Sequence, residues 1–391
     1  MVLELVIVLC ILWSPAFLFL GRIRDLPAAG PRREAGDSAG EAARSVSVII
    51  PARNEETKLP RLLASLRQQV PAPAEVIVVD DYSEDSTAAV AERYGARVEQ
   101  PGGGMEDWLG KPRACWTGAT HATGDLLIFL DADTTLERGG LARLIAAHRR
   151  FGGLISVQPY HHMQRAYERL SAFFNIVLMA ALRSFTILGS HIRPRGSFGP
   201  CLVCTREDYR RTGGHAVVKN EVLEDVALGR TMAEKGVELT NFAGRGAVSF
   251  RMYPGGLREV TDGWTKNFAR GAMTTAPLLL LMISAWIAGS GVAVRLAAVA
   301  PASGFTPAAI IGSAFYGAYV VQLRWLLRRI GNFGAATALL YPLPLAFFVW
   351  VFLRSLYFTV VRNSVTWKGR SIRIDPARTR RGRDSTGRGA Q

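Results

Sequence analysis

Apolar and polar positions divide the chain into a segmented, charged middle and two apolar ends. Between residues 45 and 131, short apolar runs alternate with amphipathic stretches. This pattern predicts strands at 47–51, 75–80, 96–99 and 125–131, and helices at 58–69, 86–94 and 112–122. Strands that alternate with helices form parallel βαβ units. The middle of the chain is therefore predicted to be an α/β domain.

The N-terminal apolar run covers residues 2–20, and only Glu4 interrupts it. It is long enough to span a membrane. A cleaved signal peptide carries basic residues before its apolar run, and this segment has none, so we interpret residues 1–21 as a retained anchor. Arg22 and Arg24 follow directly. By the positive-inside rule, residue 1 lies outside and the next domain lies in the cytoplasm of a multi-pass cell-membrane protein.

Three further apolar stretches occupy residues 276–294, 305–323 and 335–353. The first two carry no charge and predict spans, but the third contains Pro342 and Pro344. If the third stretch crosses the membrane, the tail after it lies outside. If the prolines break it into a re-entrant hairpin, the tail stays in the cytoplasm, and we favour this second arrangement.

Residues 170–188 are also apolar, but they contain Asn175 and Arg183, which are costly inside a bilayer. They predict a partly buried or interfacial helix. The resulting domain boundaries are an anchor (1–21), a linker rich in Gly, Ala, Arg and Glu (22–44), an α/β domain (45–275), a C-terminal membrane region (276–354) and a basic tail (355–391).

The net charge of +15 and the isoelectric point near 10.2 raise the question of a nucleic acid partner. Ten Lys or Arg residues against two Asp residues lie between Arg354 and the end of the chain, so about half of the excess belongs to the tail. Basic residues beside apolar spans indicate attraction to anionic lipids instead. The four cysteines do not suggest a disulfide framework, and Cys201 and Cys204 are interpreted as buried strand residues.

The strand predicted at 125–131 leads into two carboxylates, Asp131 and Asp133. Ligands of open α/β sheets bind at the carboxyl ends of the strands, and alternate strand residues point to one side. Carboxylates together with substrate phosphates are ligands that Mg²⁺ and Mn²⁺ prefer. The pair therefore predicts a divalent metal site, with an ordinary acidic turn as the alternative.

Polar loops also follow the first two strands. Pro51, Arg53 and Glu55 follow the first strand, and Asp80 ends the second. Acid-rich loops that meet at one sheet edge repel each other unless a cation or a donor-rich ligand binds there. A nucleotide sugar with a divalent metal supplies both. Lys111 lies at a predicted helix N-terminus, which suits a diphosphate. The alternatives are that Asp80 caps the next helix and that Lys111 is solvated.

A second group of candidates comes later in the chain. Gly199 precedes a predicted strand, and Gly214 and His215 precede a helix that carries Glu224 and Asp225. A carboxylate of this pair suits a general base that takes a proton from the sugar acceptor, or it interacts with the helix dipole. An acceptor carboxylic acid is already ionised near neutral pH and needs a base less. His215 is a candidate ligand of the departing diphosphate.

The order and spacing of these signatures over residues 45–275 resemble the family-two glycosyltransferases of the GT-A fold. The resemblance implies a Rossmann-like, mixed and mostly parallel sheet. It implies that Glu55 and Asp80 bind the nucleoside. It also implies that Asp131 lies near the ribose and diphosphate, and that Asp133 binds Mg²⁺ or Mn²⁺.

The same resemblance makes Asp225 the general base, with Glu224 assisting. One departure is Tyr82, which stands where the family often has Gly. The region before residue 276 lacks the Gln-x-x-Arg-Trp motif of the related processive polysaccharide synthases, which argues against a polymerase. Trp264 and Lys266 are instead expected to close over the site at the bilayer surface.

Six stretches resemble the bacterial carotenoid-acid (diaponeurosporenoate) glycosyltransferases, at residues 156–161, 198–200, 213–215, 250–253, 263–266 and 367–370. This implies that a hexose, with UDP-glucose the expected donor, passes to a polyisoprenoid carboxylic acid with inversion. The expected partners are a UDP-hexose, a lipid acceptor and the membrane, with no nucleic acid. Other polyprenyl, hopanoid or glycerolipid acceptors stay open, as do a nucleotidyltransferase and a non-catalytic basic membrane scaffold.

Overall fold

The computed structural model describes residues 2–29, 45–105, 107–221, 223–303, 306–361, 364–367 and 370–373. Most of the linker and tail predicted from the sequence therefore lies outside the described residues. The strands are β1 (Val46–Ala52), β2 (Glu75–Asp80), β3 (Arg97–Glu99), β4 (Leu126–Leu130), β5 (Thr134–Leu136), β6 (Leu154–Gln158), β7 (Tyr160–His161), β8 (Cys201–Thr205), β9 (Leu239–Ala243), β10 (Val248–Phe250), β11 (Ser364–Trp367) and β12 (Arg370–Arg373).

The helices of the N-terminal segment and the α/β domain are α1 (Val2–Trp13), α2 (Pro15–Leu20), α3 (Leu59–Arg67), α4 (Thr87–Arg93), α5 (Gly110–His121), α6 (Gly140–Phe151), α7 (Ala172–Ala181), α8 (Arg206–Thr212) and α9 (Glu224–Glu234). The C-terminal helices are α10 (Leu257–Thr274), α11 (Pro277–Ser303), α12 (Pro307–Ile330), α13 (Gly334–Leu339) and α14 (Pro342–Val361).

A seven-stranded sheet in the order β3-β2-β1-β4-β8-β6-β9 forms the centre of the domain. The pairs β1/β2, β1/β4, β2/β3 and β6/β9 are parallel, and β8 runs antiparallel to β4 and β6. A small sheet, β5-β10-β7, lies beside it. The prediction of a mixed, mostly parallel α/β sheet is confirmed.

Helices cover both faces of this sheet. All five residues of β4 are buried, as expected for a central strand between two helical layers. Leu62 of α3 and Leu144 of α6 pack on one face, and Cys115 of α5 and Leu228 of α9 pack on the other. Each fully buried leucine stabilises the fold by roughly 1.5–3 kcal/mol. The layers fix the carboxyl ends of β1, β2 and β4 at one edge.

Two local expectations differ from the structure. Strand β4 ends at Leu130, so a turn rather than strand alternation orients Asp131 and Asp133. The helix predicted at 170–188 is shorter and ends at Ala181, and its burial agrees with the partly buried alternative. Helix α7 is a core helix in which Asn175 is fully buried and donates to the Ser171 carbonyl, and Arg183 follows it with a left-handed φ of 58°.

Within the described residues, four segments are long and apolar enough to cross a membrane: Val2–Leu20, Pro277–Val299, Pro307–Ile330 and Pro342–Thr359. They share one hydrophobic core with α7. Helix α1 packs on α11 and α12, where the Gln322 side chain donates to the Trp13 carbonyl and Tyr319 donates to the Leu12 carbonyl.

The last apolar stretch folds back on itself. Gly331, just after α12, pairs with His161 of the α/β domain. The chain then reaches Tyr341, whose hydroxyl donates to the Ser290 carbonyl about halfway along α11. Helix α14 returns, so that Arg354 lies 3.0 Å from Asp262 in α10. Both ends of this segment therefore contact the domain side, as in a re-entrant hairpin. The break falls before Pro342, which begins α14.

Candidate active site

An open cleft of about 180 Å³ lies at the carboxyl ends of β1 and β4, beside the N-terminus of α5. We call it the donor cleft. Six of the seven side chains that the sequence analysis assigned to the nucleotide sugar or the metal line it, and Asp80 does not. The full lining consists of Pro51, Ala52, Arg53, Glu55, Asp81, Gly110, Lys111, Ala114, Asp131, Ala132 and Asp133.

Lys111 joins two groups of carboxylates. Its Nζ lies 2.8 Å from Asp131 Oδ1, 3.2 Å from Asp225 Oδ2 and 3.6 Å from Glu224 Oε1. Burial lowers the pKa of Lys111, but these carboxylates raise it, and the result is well above its usual value. A single ammonium group therefore links the residue predicted near the donor diphosphate to the pair predicted to act on the acceptor.

Negative charge accumulates around this ammonium group. Burial and then Asp131 raise the pKa of Asp133 to about 7, and burial and then Asp225 raise the pKa of Glu224 to about 8. In the described part of the chain, no three His, Cys, Asp or Glu side chains form a metal cluster. One or two carboxylates with water and phosphate oxygens are the usual Mg²⁺ ligands. Asp133, with Asp131 nearby, therefore fits a cation that shares its ligands with a diphosphate.

Asp225 is fixed by close packing at the start of α9. Its carboxylate lies against the backbone of Gly199, where any Cβ would overlap it. Ser197 Oγ donates to the Asp225 carbonyl. Asp225 Oδ2 faces Lys111, whereas Oδ1 is buried and has no hydrogen-bond partner among the described residues. A buried, unpaired acceptor atom is costly, and a proton-donating ligand at Oδ1 would remove that cost.

The two aspartates that end β2 have different surroundings. Asp80 is buried, and its Oδ1 accepts a hydrogen bond from the Ser83 amide at 3.2 Å. It therefore stabilises the turn before α4 and does not cap the helix itself, which begins at Thr87. Asp81 lines the cleft and pairs with Arg113 and, at 3.8 Å, with Arg53. Sequence reasoning missed Asp81, because nothing local shows that Arg113, 32 residues later, folds onto it.

Tyr82 adopts the left-handed conformation that a glycine would take easily, with φ 56°. Its hydroxyl donates to the Pro101 carbonyl at 2.8 Å, and the Arg113 guanidinium lies 5.3 Å from its ring centre. These contacts hold a strained residue in the turn beside the cleft.

His215 and Gly214 lie behind the cleft rather than in its lining. The His215 ring bonds to the Tyr209 hydroxyl at 2.8 Å, and burial lowers the pKa of His215 to about 4. Gly214 has φ 48° and packs against the Tyr209 ring. In this arrangement both residues support the segment that leads to α9.

Trp264 belongs to a cluster of aromatic rings that we call the membrane junction: Phe174 of α7, Trp264 and Phe268 of α10, and Phe348 of α14. The Trp264 ring stacks on Phe174 at 4.8 Å, and its Nε1 donates to Ser171 Oγ at 3.1 Å. Phe268 and Phe348 complete the cluster at 5.4 Å from each other. Lys266 lies in α10, but its side chain lies outside the described residues.

Two residues that sequence reasoning missed connect the membrane junction to the donor cleft. Tyr253 lies edge-on to Trp264 at 5.9 Å, and burial followed by the charge of Asp133 raises the pKa of Tyr253. Glu259 of α10 lies 3.9 Å from Lys58, which in turn lies 3.8 Å from Glu55. Tyr253 belongs to the stretch 250–253 that carries the family resemblance, but that resemblance assigned it no role. Nothing local marks Glu259, because its partner Lys58 lies about two hundred positions earlier.

The chain is similar to known glycosyltransferases in sequence and in fold. Residues 47–201 match the family described as glycosyl transferase family 2. The chain is 36% identical over 345 residues to a 4,4'-diaponeurosporenoate glycosyltransferase of Staphylococcus haemolyticus, covering 86% of this chain and 90% of that protein. The enzyme of the same description from Staphylococcus aureus is 36% identical over 335 residues, covering 85% and 89%.

Among solved structures, the fold is similar to mannosyltransferase PcManGT from Pyrobaculum calidifontis, which was solved with GDP-Man and Mn²⁺. The TM-score is 0.50 at 17% sequence identity, and the match covers 91% of this chain and 99% of that one. This likeness supports the fold.

Proposed function

Since the chain belongs to glycosyl transferase family 2 and is a hexosyltransferase, we propose that it transfers a hexose from a nucleotide sugar to a carotenoid carboxylic acid in the membrane. The expected donor is UDP-glucose, and the expected product is a glycosyl ester with inverted anomeric configuration. The relatives in Staphylococcus support this acceptor by their description. The family assignment argues against the two alternatives kept above, a non-catalytic membrane scaffold and a nucleotidyltransferase.

One observation carries the proposal: Lys111 contacts both Asp131 on the donor side and Asp225 on the acceptor side, at 2.8 Å and 3.2 Å. Lys111, which lines the donor cleft, therefore joins the carboxylate proposed for the donor to the carboxylate proposed for the acceptor reaction. Asp133 and Asp131 would hold a divalent cation. When bound, Mg²⁺ or Mn²⁺ would neutralise the diphosphate and stabilise it as a leaving group.

The remaining chemistry belongs to the side chains of the chain itself. An acceptor oxygen forms a bond to the anomeric carbon while the bond from that carbon to the diphosphate breaks, and the diphosphate leaves with the electron pair. Lys111 offsets negative charge on both sides of this exchange. A carboxylate acceptor arrives ionised, so no proton has to be removed.

A second acceptor class is favoured by Asp225 itself. Its Oδ1, which has no hydrogen-bond partner among the described residues, suits the proton of a hydroxyl group. This proton would pass to Asp225 as the new bond forms. A polyprenyl alcohol, a hopanoid or a glycerolipid would provide such a hydroxyl group. With these acceptors Asp225 acts as general base, whereas with an acid it only orients Lys111.

The test is product analysis with the full chain in nanodiscs. Protein, Mg²⁺, UDP-glucose and either a carotenoid acid or its alcohol analogue are incubated, and the lipid fraction is analysed by mass spectrometry. We expect a glucosyl ester from the acid and release of UDP. Glucosylation of the alcohol alone would favour the second class, and no glucosylated lipid with either acceptor would contradict the proposal.

We also propose that the α/β domain and the tail both lie on the cytoplasmic side, as the hairpin geometry of residues 331–355 supports. Single cysteines at Gly102, Gly304 and Ser385, in a Cys10→Ser background, are labelled with an impermeant maleimide. Positions 102 and 385 should label from the same side and position 304 from the other. Labelling of 385 together with 304 would contradict this topology.

A further inference from the structure

A cluster of arginines lies where α12 meets the α/β domain. Arg324 and Arg328 come from the last turns of α12, and Arg245 comes from the turn between β9 and β10. Burial raises the pKa of Tyr160, and the charges of these three arginines act in the opposite direction. The geometry agrees, because Gly331 at the end of α12 pairs with His161, the neighbour of Tyr160 in β7. The last turns of α12 therefore lie against the part of the domain that carries Tyr160.

Within the part of the chain that the structure describes, these arginines differ from several other arginines of the domain in having no carboxylate partner. Arg53 and Arg113 pair with Asp81, and Arg251 pairs with Glu168. Among the described residues, none of Arg245, Arg324 and Arg328 has a carboxylate oxygen within 4.0 Å. The nearby acid is Asp25. Burial raises its pKa, and it already faces Arg245, Arg329 and Arg143. The patch therefore keeps an excess of positive charge.

The surface of α12 shows where this patch lies relative to a bilayer. Ile310 and Val321 are 54% and 69% exposed, and Arg328 is exposed as well. About three turns separate the first two residues and about two turns separate the last two, so all three share one face. This face is apolar until Val321 and then becomes basic, which matches the boundary between acyl chains and headgroups.

We propose that Arg245, Arg324 and Arg328 form a binding site for the phosphate of an anionic glycerophospholipid. Basic pockets beside membrane helices on the cytoplasmic side suit such headgroups, and a guanidinium binds phosphate through two parallel hydrogen bonds. The inference rests on the proposed membrane placement and not on the identity of the acceptor. A bound lipid would fix the angle at which α12 carries the donor cleft over the bilayer.

Native mass spectrometry of the full chain, titrated with phosphatidylglycerol or phosphatidylcholine, tests the site. Arg245→Gln/Arg328→Gln should weaken phosphatidylglycerol binding about 25-fold, since each arginine near a membrane surface is worth about 1 kcal/mol, or about fivefold. Phosphatidylcholine binding should stay unchanged. Arg245→Lys/Arg328→Lys should keep most of the affinity, because it keeps the charge.

Arg211→Gln/Arg230→Gln is the matched control, because it removes the same charge from exposed positions on α8 and α9. It should alter phosphatidylglycerol affinity less than twofold. Equal affinity in the Arg245/Arg328 variant and wild type, or an equal loss in the control, would overturn the inference. Sugar transfer in phosphatidylcholine nanodiscs should survive the Arg245/Arg328 variant, so failure of the lipid site and failure of the proposed function give different results.

Discussion

The donor cleft and the membrane junction lie side by side but depend on different forces. Charged groups organise the cleft, where one ammonium group contacts three carboxylates within 3.6 Å. Stacked rings organise the junction, where Trp264 lies 4.8 Å from Phe174. The proposed ligand of the cleft is a polar, anionic donor. The junction, by contrast, packs in the hydrophobic core that the α/β domain shares with the apolar helices. The difference indicates that donor binding and attachment to the membrane region can be disturbed separately.

Among the variants considered, loss of the Lys111 charge should reduce the rate of sugar transfer the most. Lys111→Met leaves Asp131, Asp225 and Glu224 facing each other without their shared cation. Removal of one electrostatic stabiliser in an active site costs about 10²–10³-fold in kcat, and we expect a loss of this size in steady-state transfer assays. Lys219→Met is the control, because Lys219 forms an exposed pair with Asp107 that contributes little. Equal losses in the two variants would contradict the role of Lys111.

Displacement of Asp225 should have the second-largest effect on the rate of sugar transfer. In Gly199→Ala the new methyl group overlaps the Asp225 carboxylate, which has to move. Misplacement by about 1 Å costs on the order of 10²-fold in rate, while the KM for the donor should stay near that of wild type. Gly102→Ala is the control, because a Cβ at that position meets open space. Normal turnover of Gly199→Ala with either acceptor class would show that Asp225 is not held for catalysis.

The membrane junction should respond in stability rather than in donor binding. Trp264→Ala removes a buried ring and should lower the free energy of unfolding by about 3–5 kcal/mol, measured by thermal or denaturant unfolding in detergent. UDP affinity should change less than twofold. Trp350→Ala, at a side chain that is 53% exposed, should alter stability by less than about 0.5 kcal/mol. A parallel loss of UDP affinity in Trp264→Ala would show that the two regions are not separable.

The smallest expected effect is a change in pH dependence. The pKa of Glu224 is about 8 in the fold against 4.5 for the free side chain, so the folded state holds the extra proton. The contribution of protonated Glu224 to the free energy of unfolding is fully present below pH 4.5 and is lost as the pH rises through 8. Glu224→Gln should remove this decline from a plot of melting temperature against pH. An identical slope in both proteins would show that Glu224 does not titrate in this window.

Local patterns predicted the cleft better than the junction. Short-range periodicity predicted the strands that precede Glu55 and Asp133 and the helix that begins near Lys111. The packing of these elements in the α/β domain then brings the three residues to one cleft. Asp80 and Asp81 were not distinguished, since only the fold shows which of them Arg113 binds. Whether α7 is partly buried or interfacial stayed open in the sequence, because its apolar residues pack against α10 and α14, which are far away in sequence.

The C-terminal hairpin also shows that sequence patterns predict an element but not its distant contacts. Composition identified the apolar stretch and its two prolines, but length and hydropathy also allow Pro342–Thr359 to span. The contact between Arg354 and Asp262 supports the proposed return, and it joins positions 92 residues apart. Patterns along the chain therefore predict the elements, while their partners depend on the assembled core.

The central proposal is that the donor cleft binds a nucleotide sugar through a divalent cation held by Asp133. Calorimetric titration of UDP-glucose into the full chain, in Mg²⁺ and in EDTA, measures the affinity for the donor most directly. It is carried out for wild type and for Asp133→Asn. We expect binding by wild type in Mg²⁺, and a loss of at least about tenfold in affinity in EDTA or on substitution, equivalent to about 1.4 kcal/mol. Undiminished binding by Asp133→Asn, or by wild type in EDTA, would contradict the account.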